Sequence, residues 1–144
     1  MWVAAYGGQI HYWNGGSFET PSIHLGEFKF DLKTPIFSAH YSRDNSLWIG
    51  TTNGLLRYEV INSSAKNLPA ELWLRNLYTD QNHLPSDVID DILEDEKGII
   101  WVCNVGGLTS INPKTQEVAS YTTVDGLPGN EFTLNASSTL LNGY

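Results

Sequence analysis

Cysteine is nearly absent from this chain of 144 residues. The single cysteine, Cys103, excludes an internal disulfide and a zinc site built on several cysteines. The histidines do not share the i, i+4 spacing of a local metal site; they are His11, His24, His40 and His83. We therefore expect no bound metal and no cofactor.

Basic residues are also scarce, and long apolar runs are missing. Eight Lys and Arg stand against sixteen Asp and Glu, so the net charge is −8. Nucleic acids and anionic membranes favour clustered Lys and Arg, and neither is an expected partner of this segment. No apolar run approaches the roughly 18 residues of a membrane span. The start Met1-Trp2-Val3 lacks the basic region and cleavage site of a signal peptide.

Aromatic residues are plentiful, and tryptophan opens a repeat. Apolar residues make up 41 % of the chain and aromatic residues 12 %, which is enough to form a core and argues against disorder. Three ungapped segments of eleven residues begin with Trp, a β-branched residue and a small residue; they are residues 2–12, 48–58 and 101–111. A glycine lies six positions after each Trp2, Trp48 and Trp101, at Gly8, Gly54 and Gly107. Because glycine tolerates the positive φ of tight turns, each segment predicts a β-hairpin.

A second repeat surrounds the hairpins. Leu84-Pro85 and Leu127-Pro128 stand in similar polar loops, and polar turns precede Trp48 and Trp101. The tail 141–144 resembles such a turn. Four short strands in about 45 to 50 residues are typical of a β-propeller blade. We predict an all-β chain of four-stranded antiparallel blades, with approximate repeats at 1–46, 47–99 and 100–144.

About three blades are too few for a closed propeller, which needs at least about four. The chain is therefore expected to be an incomplete propeller, either a fragment of a longer protein or a unit that closes by assembling with other copies. Open sheet edges would promote self-association.

One stretch is ambiguous. Residues 86–98 carry apolar pairs four apart, with Ser86 as a candidate N-cap and Gly98 as a candidate C-terminal glycine, which fits a short amphipathic helix. The repeat instead favours a strand, because the equivalent stretch 132–140 alternates polar and apolar residues as a strand does. We predict the strand.

The repeat resembles a known family. Leu47-Trp48-Ile-Gly-Thr-Thr-Asn-Gly54 and Gly98-Ile-Ile-Trp101-Val are similar to the two-component regulator propeller repeat, as is the loop Asp125-Gly-Leu127-Pro128-Gly-Asn130. The resemblance runs from about residue 42 onward and reaches residues 2–12 more loosely. It departs at Val102-Cys103-Asn104, where the family has Ile-Gly-Thr, and it is poor over 13–41.

The resemblance implies a function. Such propellers form periplasmic sensor domains of membrane-anchored hybrid two-component histidine kinases and related signalling proteins, and many respond to polysaccharide fragments. We therefore expect a non-catalytic, ligand-sensing propeller segment whose partners are a carbohydrate or small molecule and the other blades of its parent. A dimerisation scaffold is the alternative, and a propeller glycosidase or lyase is a third hypothesis that needs two facing carboxylates.

Candidate site residues lie on one face of the predicted blades, and two of them, His83 and Asn104, depart from the repeat pattern. Asn82, His83 and Asn104 stand on the face where the inter-blade loops and the hairpin turns meet, and they are the predicted ligand contacts. No catalytic residue is predicted. The repeated tryptophans invite sugar stacking, but packing between blades is the simpler interpretation. The acidic run from Asp87 to Glu96 fits a solvated or turn-forming segment, or else a Ca²⁺ site of unusual spacing. Cys103 is expected to be a buried, inert thiol.

Overall fold

The computed structural model describes residues 1–61 and 69–129. Within these ranges the chain folds into strands and one turn of 3-10 helix at Thr123–Asp125. The strands are β1 (Trp2–Ala4), β2 (Ile10–Trp13), β3 (Phe18–Glu19), β4 (Ser22–His24), β5 (Ile36–Tyr41), β6 (Ser46–Thr51), β7 (Gly54–Ile61), β8 (Glu71–Tyr78), β9 (Ile89–Glu94), β10 (Ile100–Asn104), β11 (Gly107–Ile111) and β12 (Val118–Tyr121). No helix in the described ranges is long and apolar enough to cross a membrane. The predicted all-β class is confirmed.

The strands form three sheets that follow one another along the chain. Sheet 1 has the order β1-β2-β3, sheet 2 the order β4-β8-β7-β6-β5 and sheet 3 the order β12-β11-β10-β9. Strands β5 to β8 and β9 to β12 are two antiparallel four-stranded meanders, which is the predicted blade. The repeat bounds 1–46, 47–99 and 100–144 remain a prediction. The predicted second and third repeats begin next to a tryptophan, whereas the two four-stranded meanders begin one strand earlier, at β5 and β9.

Sheet 2 carries a fifth strand that the repeat does not predict. Strand β4 lies parallel to β8, with Ser22 opposite Glu71 and His24 opposite Trp73. The His24 ring stacks on the Trp73 ring at a centroid distance of 4.1 Å. The outer edge of sheet 2 is therefore covered by the chain's own residues, which removes a free edge.

Tight hairpins form at the predicted glycines. Gly54 and Gly107 have φ values of 120° and 138°, which residues with a Cβ rarely adopt. A Cβ on Gly54 would lie 2.6 Å from the Tyr78 carbonyl oxygen, and one on Gly107 would collide with the Tyr121 carbonyl oxygen. Both glycines thus allow the turn and the close approach of the outer strand.

The ambiguous stretch is a strand. Residues Ile89–Glu94 form β9, which pairs with β10 and packs against β5 and β6 of the neighbouring sheet. Tertiary pairing on two sides overrides the local helical spacing, because burial contributes more than the intrinsic preference. The strand prediction for 86–98 is confirmed over its central residues; the equivalent stretch 132–140 lies outside the described residues.

Sheet 2 lies between the other two sheets, and strand alternation divides its core. Leu47 and Ile49 belong to a cluster shared with Ile10 of sheet 1, whereas Trp48 belongs to a cluster shared with Ile89 of sheet 3. Successive side chains of a strand point to opposite faces, so β6 is buried throughout. Stacked sheets with separate apolar cores are the arrangement of propeller blades.

Candidate functional site

The loop between β8 and β9 positions the first predicted site residue. The Asn82 side-chain oxygen accepts hydrogen bonds from the Thr79 backbone N–H at 2.6 Å and from the Thr79 hydroxyl at 3.2 Å. Its amide nitrogen donates to the Leu77 carbonyl oxygen at 2.9 Å. Asn82 therefore shapes the start of the loop, and both halves of its amide are engaged in doing so.

His83 stands on the outside of the same loop. Its φ is 96°, an uncommon conformation for a residue with a Cβ, and its side chain is exposed. The following residue, Leu84, is buried in the core between sheets 2 and 3. Burial of Leu84 anchors the loop, so His83 is presented to solvent at a defined place.

Asn104 ends β10 beside this loop but points into the protein. It is 0 % exposed, and neither its amide nitrogen nor its amide oxygen has a hydrogen-bond partner. A Cβ on Gly106, in the turn that follows, would collide with Pro85 of the β8–β9 loop. The β8–β9 loop and the β10–β11 turn are therefore in contact. The His83 side chain is exposed to solvent, whereas the Asn104 side chain is buried.

The repeated tryptophans occupy different surroundings in each sheet. Trp48 is fully buried between sheets 2 and 3, and the Arg57 guanidinium lies 5.4 Å from its ring centroid. Trp2 packs against the core between sheets 1 and 2. Trp101 is half-buried, and its indole N–H donates to Asp95 at 2.9 Å. Trp2 and Trp48 therefore lie at junctions between sheets.

At the opposite end of the strands, Glu94 joins sheet 3 to sheet 2. The Nε2 atom of His40 lies 2.8 Å from Glu94 Oε2, and the Ser42 hydroxyl donates to Glu94 Oε1 at 3.1 Å. The Arg43 backbone N–H and its guanidinium Nε each lie 3.3 Å from a Glu94 carboxylate oxygen. Glu94's side chain is only 6 % exposed. Burial raises its pKa, but the hydrogen bonds from His40, Arg43 and Ser42 outweigh burial and lower the pKa overall.

A polar cleft of about 280 Å³ opens beside Glu94. Its charged side chains are of both signs; the cations are Arg43, Lys97 and Lys114, and the anions are Asp44, Glu94 and Glu96. Because donors and acceptors are balanced, the cleft can contact a neutral ligand that carries many hydroxyl groups. The polar groups of this cleft come from two blades, with Arg43 beside sheet 2 and Lys97 beside sheet 3.

The acidic run from Asp87 to Glu96 contains residues that are buried or hydrogen-bonded to the backbone. Asp95 accepts hydrogen bonds from the backbone N–H groups of Lys97 and Ile99, which fixes the β9–β10 turn. Asp90 is 8 % exposed, and its pKa is raised by burial and then by the charge of Asp91. Adjacent strand residues point to opposite faces, so this pair does not form the facing carboxylates of a glycosidase.

The remaining candidate groups are the metal-ligating side chains and the single thiol. Among the residues at 1–61 and 69–129, no group of three His, Cys, Asp or Glu side chains is placed to hold a metal ion. Cys103 is buried in β10, as predicted.

The sequence analysis missed the cluster around Glu94. His40, Ser42 and Arg43 lie 51 to 54 residues from Glu94, so no local motif links them. The repeat contained one signal for this cluster. His40 and Leu93 each lie eight residues before a tryptophan, so the segment around His40 and the segment around Glu94 occupy equivalent positions in neighbouring blades.

Comparison with known proteins supports the repeat. Residues 83–106 match the family model described as two component regulator propeller. The predicted resemblance is thereby confirmed, with a matched segment narrower than the sequence analysis expected. No curated protein matches the chain.

Solved structures share the fold. An extracellular domain of a hybrid two-component system from B. thetaiotaomicron has a TM-score of 0.70 at 21 % identity; the match covers 99 % of this chain and 19 % of that one. A second such domain from the same organism gives 0.68 at 19 % identity, covering 99 % and 18 %. PorZ, a surface component of the type-IX secretion system of Porphyromonas gingivalis, gives 0.57 at 16 % identity, covering 85 % and 18 %. The chain thus spans under a fifth of these proteins and shares their fold.

Proposed function

We propose that this chain is part of the extracellular sensor domain of a bacterial signalling protein, and that it binds a glycan or small polar solute without transforming it. The observation that carries the proposal is the propeller repeat at 83–106, in a chain whose fold matches extracellular domains of two-component systems. By this proposal the domain lies in the periplasm, and its parent is anchored in the membrane.

The polar cleft supports binding of a hydroxyl-rich ligand. Its lining comes from two blades, so a ligand in the cleft contacts both Arg43 of sheet 2 and Lys97 beside sheet 3. By this proposal, a ligand that binds one relative arrangement of the two blades more tightly than another shifts the population towards that arrangement and so signals its presence. The loop end, with exposed His83, is the second candidate surface.

Isothermal titration calorimetry with a panel of oligosaccharides tests this function. Lys114→Ala removes a cleft cation from an exposed side chain, and His83→Ala removes the exposed ring at the loop end. We expect one saccharide class to bind and Lys114→Ala to weaken it at least about tenfold, equivalent to about 1.4 kcal/mol. His83→Ala tests the second candidate surface in the same titration, and Lys29→Ala, which removes an exposed cation outside the cleft, is the matched control.

The outcomes of this titration distinguish whether the protein binds a saccharide from where the saccharide binds. If His83→Ala weakens binding and Lys114→Ala does not, the ligand occupies the loop end. Binding that is insensitive to both variants would contradict both sites. If no saccharide of the panel binds, the sensing proposal is wrong, and the scaffold alternative is favoured.

A further inference from the structure

The polar cleft is lined by equal numbers of cations and anions, but the two signs differ in how they are paired. Asp44 Oδ2 lies 2.8 Å from Arg57 Nη2, and Asp44 Oδ1 accepts from the Ser46 backbone N–H at 3.1 Å. Burial raises the pKa of Asp44, but serine hydrogen bonds and the charge of Arg57 outweigh burial and lower the pKa overall. Arg57 does not line the cleft, so the charge of Asp44 is compensated from outside it.

Glu94 and Arg43 are also occupied within the protein. Glu94 Oε2 lies 2.8 Å from His40 Nε2, and Glu94 Oε1 accepts from Arg43 Nε at 3.3 Å. The Arg43 guanidinium donates further to the backbone carbonyl oxygens of Asp95 and Glu96. Because the Glu94 side chain is only 6 % exposed, little of its carboxylate faces the cleft. One anion and one cation of the lining therefore largely satisfy each other.

The two lysines of the lining have no such partner. Lys97 belongs to the β9–β10 turn and Lys114 to the β11–β12 loop, and both side chains are exposed. Neither ammonium group forms an ion pair with a residue at 1–61 or 69–129. The charge of Lys97 acts on Asp95, but that carboxylate already accepts from the Trp101 indole and from two backbone N–H groups. Both ammonium groups are thus available to a ligand.

Two further groups of the lining are available. The Asn112 side-chain oxygen accepts from the backbone N–H groups of Lys114 and Thr115, whereas its Nδ2 makes no hydrogen bond with a described residue. The Glu96 side chain is exposed, and its carboxylate forms no ion pair within the described part of the chain. A ligand therefore meets two ammonium groups, one amide NH₂ and one carboxylate. Hydroxyl groups can pair with all four, and an anionic group gains an ion pair as well.

We propose that the polar cleft selects anionic saccharides, with a carboxylate or sulfate group of the ligand paired with Lys97 and Lys114 and a ligand hydroxyl donating to Glu96. This inference rests on the proposed function and adds the chemical class of the ligand. The chain as a whole carries a net charge of −8, which repels anions. Exposed charges beyond about 8 Å are largely screened at physiological ionic strength, so the groups that line the cleft decide the selection.

Isothermal titration calorimetry with matched saccharides tests the selection. The carboxylate probe is trigalacturonic acid, and its reference is the methyl-esterified trisaccharide, which keeps the ring hydroxyls and lacks the charge. The sulfate probe is a monosulfated carrageenan disaccharide, with the desulfated disaccharide as its reference. We expect an anionic probe to bind at least about tenfold more tightly than its reference, equivalent to about 1.4 kcal/mol. The preference should shrink as NaCl is added, because salt screens exposed charges.

Three variants locate the selection in the cleft. The double variant Lys97→Gln, Lys114→Gln should bring an anionic probe and its reference to equal affinity, because it removes both available cations. Glu96→Gln should strengthen binding of the anionic probe, because it removes a like charge and keeps an oxygen that accepts from a hydroxyl. Lys29→Gln is the matched control, since Lys29 is exposed and lies outside the cleft, and it should keep the preference.

The outcomes distinguish this inference from the proposed function. If both anionic probes bind no more tightly than their references, the charge selection is wrong and the sensing function stands. A preference that survives in the double variant would place the anionic group elsewhere and overturn the site. If neither the anionic nor the neutral saccharides bind, both proposals are wrong. A preference for only one of the two anionic probes supports the proposal and identifies the group as a carboxylate or a sulfate.

Discussion

His40 and Glu94 connect two sheets across 54 residues of sequence, with His40 Nε2 2.8 Å from Glu94 Oε2. The carboxylate is nearly buried and accepts from His40 of β5 and from Ser42 and Arg43 of the β5–β6 turn, so it joins the blades at one end. At the other end, the Gly54 backbone N–H donates to the Asp87 carbonyl oxygen at 2.7 Å. Polar contacts at both ends of the strands therefore flank the apolar core between sheets 2 and 3.

Glu94→Gln should lower the free energy of unfolding by about 1–3 kcal/mol near neutral pH, the range for hydrogen bonds to a charged group. Because the folded-state pKa of Glu94 lies below its ordinary value of 4.5, the carboxylate stabilises the fold above that value. The contribution is lost as the pH falls through the folded-state pKa. Urea unfolding should show a deficit at about pH 7 that shrinks towards about pH 3. Glu96→Gln, an exposed neighbour, is the control, and a deficit independent of pH would contradict the assignment.

Gly50→Ala should destabilise the junction between sheets 2 and 3. A Cβ at this position would collide with the Ser38 hydroxyl oxygen and lie 2.6 Å from Ile89 Cγ2. Overpacking of this kind costs about 1–3 kcal/mol, which thermal or urea unfolding would detect. Gly16→Ala is the control, since its Cβ would meet its nearest neighbour at 3.7 Å. Equal stability of the two variants would show that sheets 2 and 3 are less closely packed than described.

Asn104→Thr should raise the free energy of unfolding by about 1 kcal/mol or more, the value of a recovered hydrogen bond. At the equivalent position of sheet 2, the Thr51 hydroxyl donates to the Gly54 carbonyl oxygen at 2.7 Å and accepts from the Asn53 N–H at 3.0 Å. Asn104, by contrast, has no partner for its buried amide.

Thr51→Asn is the reciprocal variant and should lose stability. Urea unfolding of both variants measures the pair. If Asn104→Thr weakens the fold, the buried amide makes a contact that threonine cannot replace.

Tyr58 should make the fold sensitive to alkali. Burial raises the pKa of Tyr58 from 10.0 to about 12, and its side chain is 1 % exposed. Since the folded-state pKa is above the unfolded one, the phenol's contribution is complete below pH 10 and declines as the pH rises towards 12. Tyr58→Phe should show a smaller alkaline loss of stability in urea unfolding. An unchanged alkaline loss in Tyr58→Phe would assign the effect to other groups.

Predicting the hairpins needed little more than local chemistry. Gly54 and Gly107 sit at turns that require positive φ, and the alternation of Leu47, Trp48 and Ile49 follows from the pleat of any strand. The repeat also decided in favour of a strand at β9, where local spacing alone favoured a helix. These features depend on neighbours in sequence or on comparison of one repeat with another.

The candidate sites depended on the third dimension. The sequence placed Asn82, His83 and Asn104 on one face, but the paths of their loops decide that Asn82 supports a turn, His83 reaches solvent and Asn104 is buried. The added strand β4 and its His24–Trp73 stacking have no counterpart in the repeat.

The sequence alone therefore determined the blade, because turn residues, strand alternation and repeat period act over a few residues. Tertiary structure decided where the blades meet: which carboxylate is buried at their junction and where the polar cleft opens. Those properties depend on groups brought together from more than 50 residues apart, and burial and electrostatics act on distance in space.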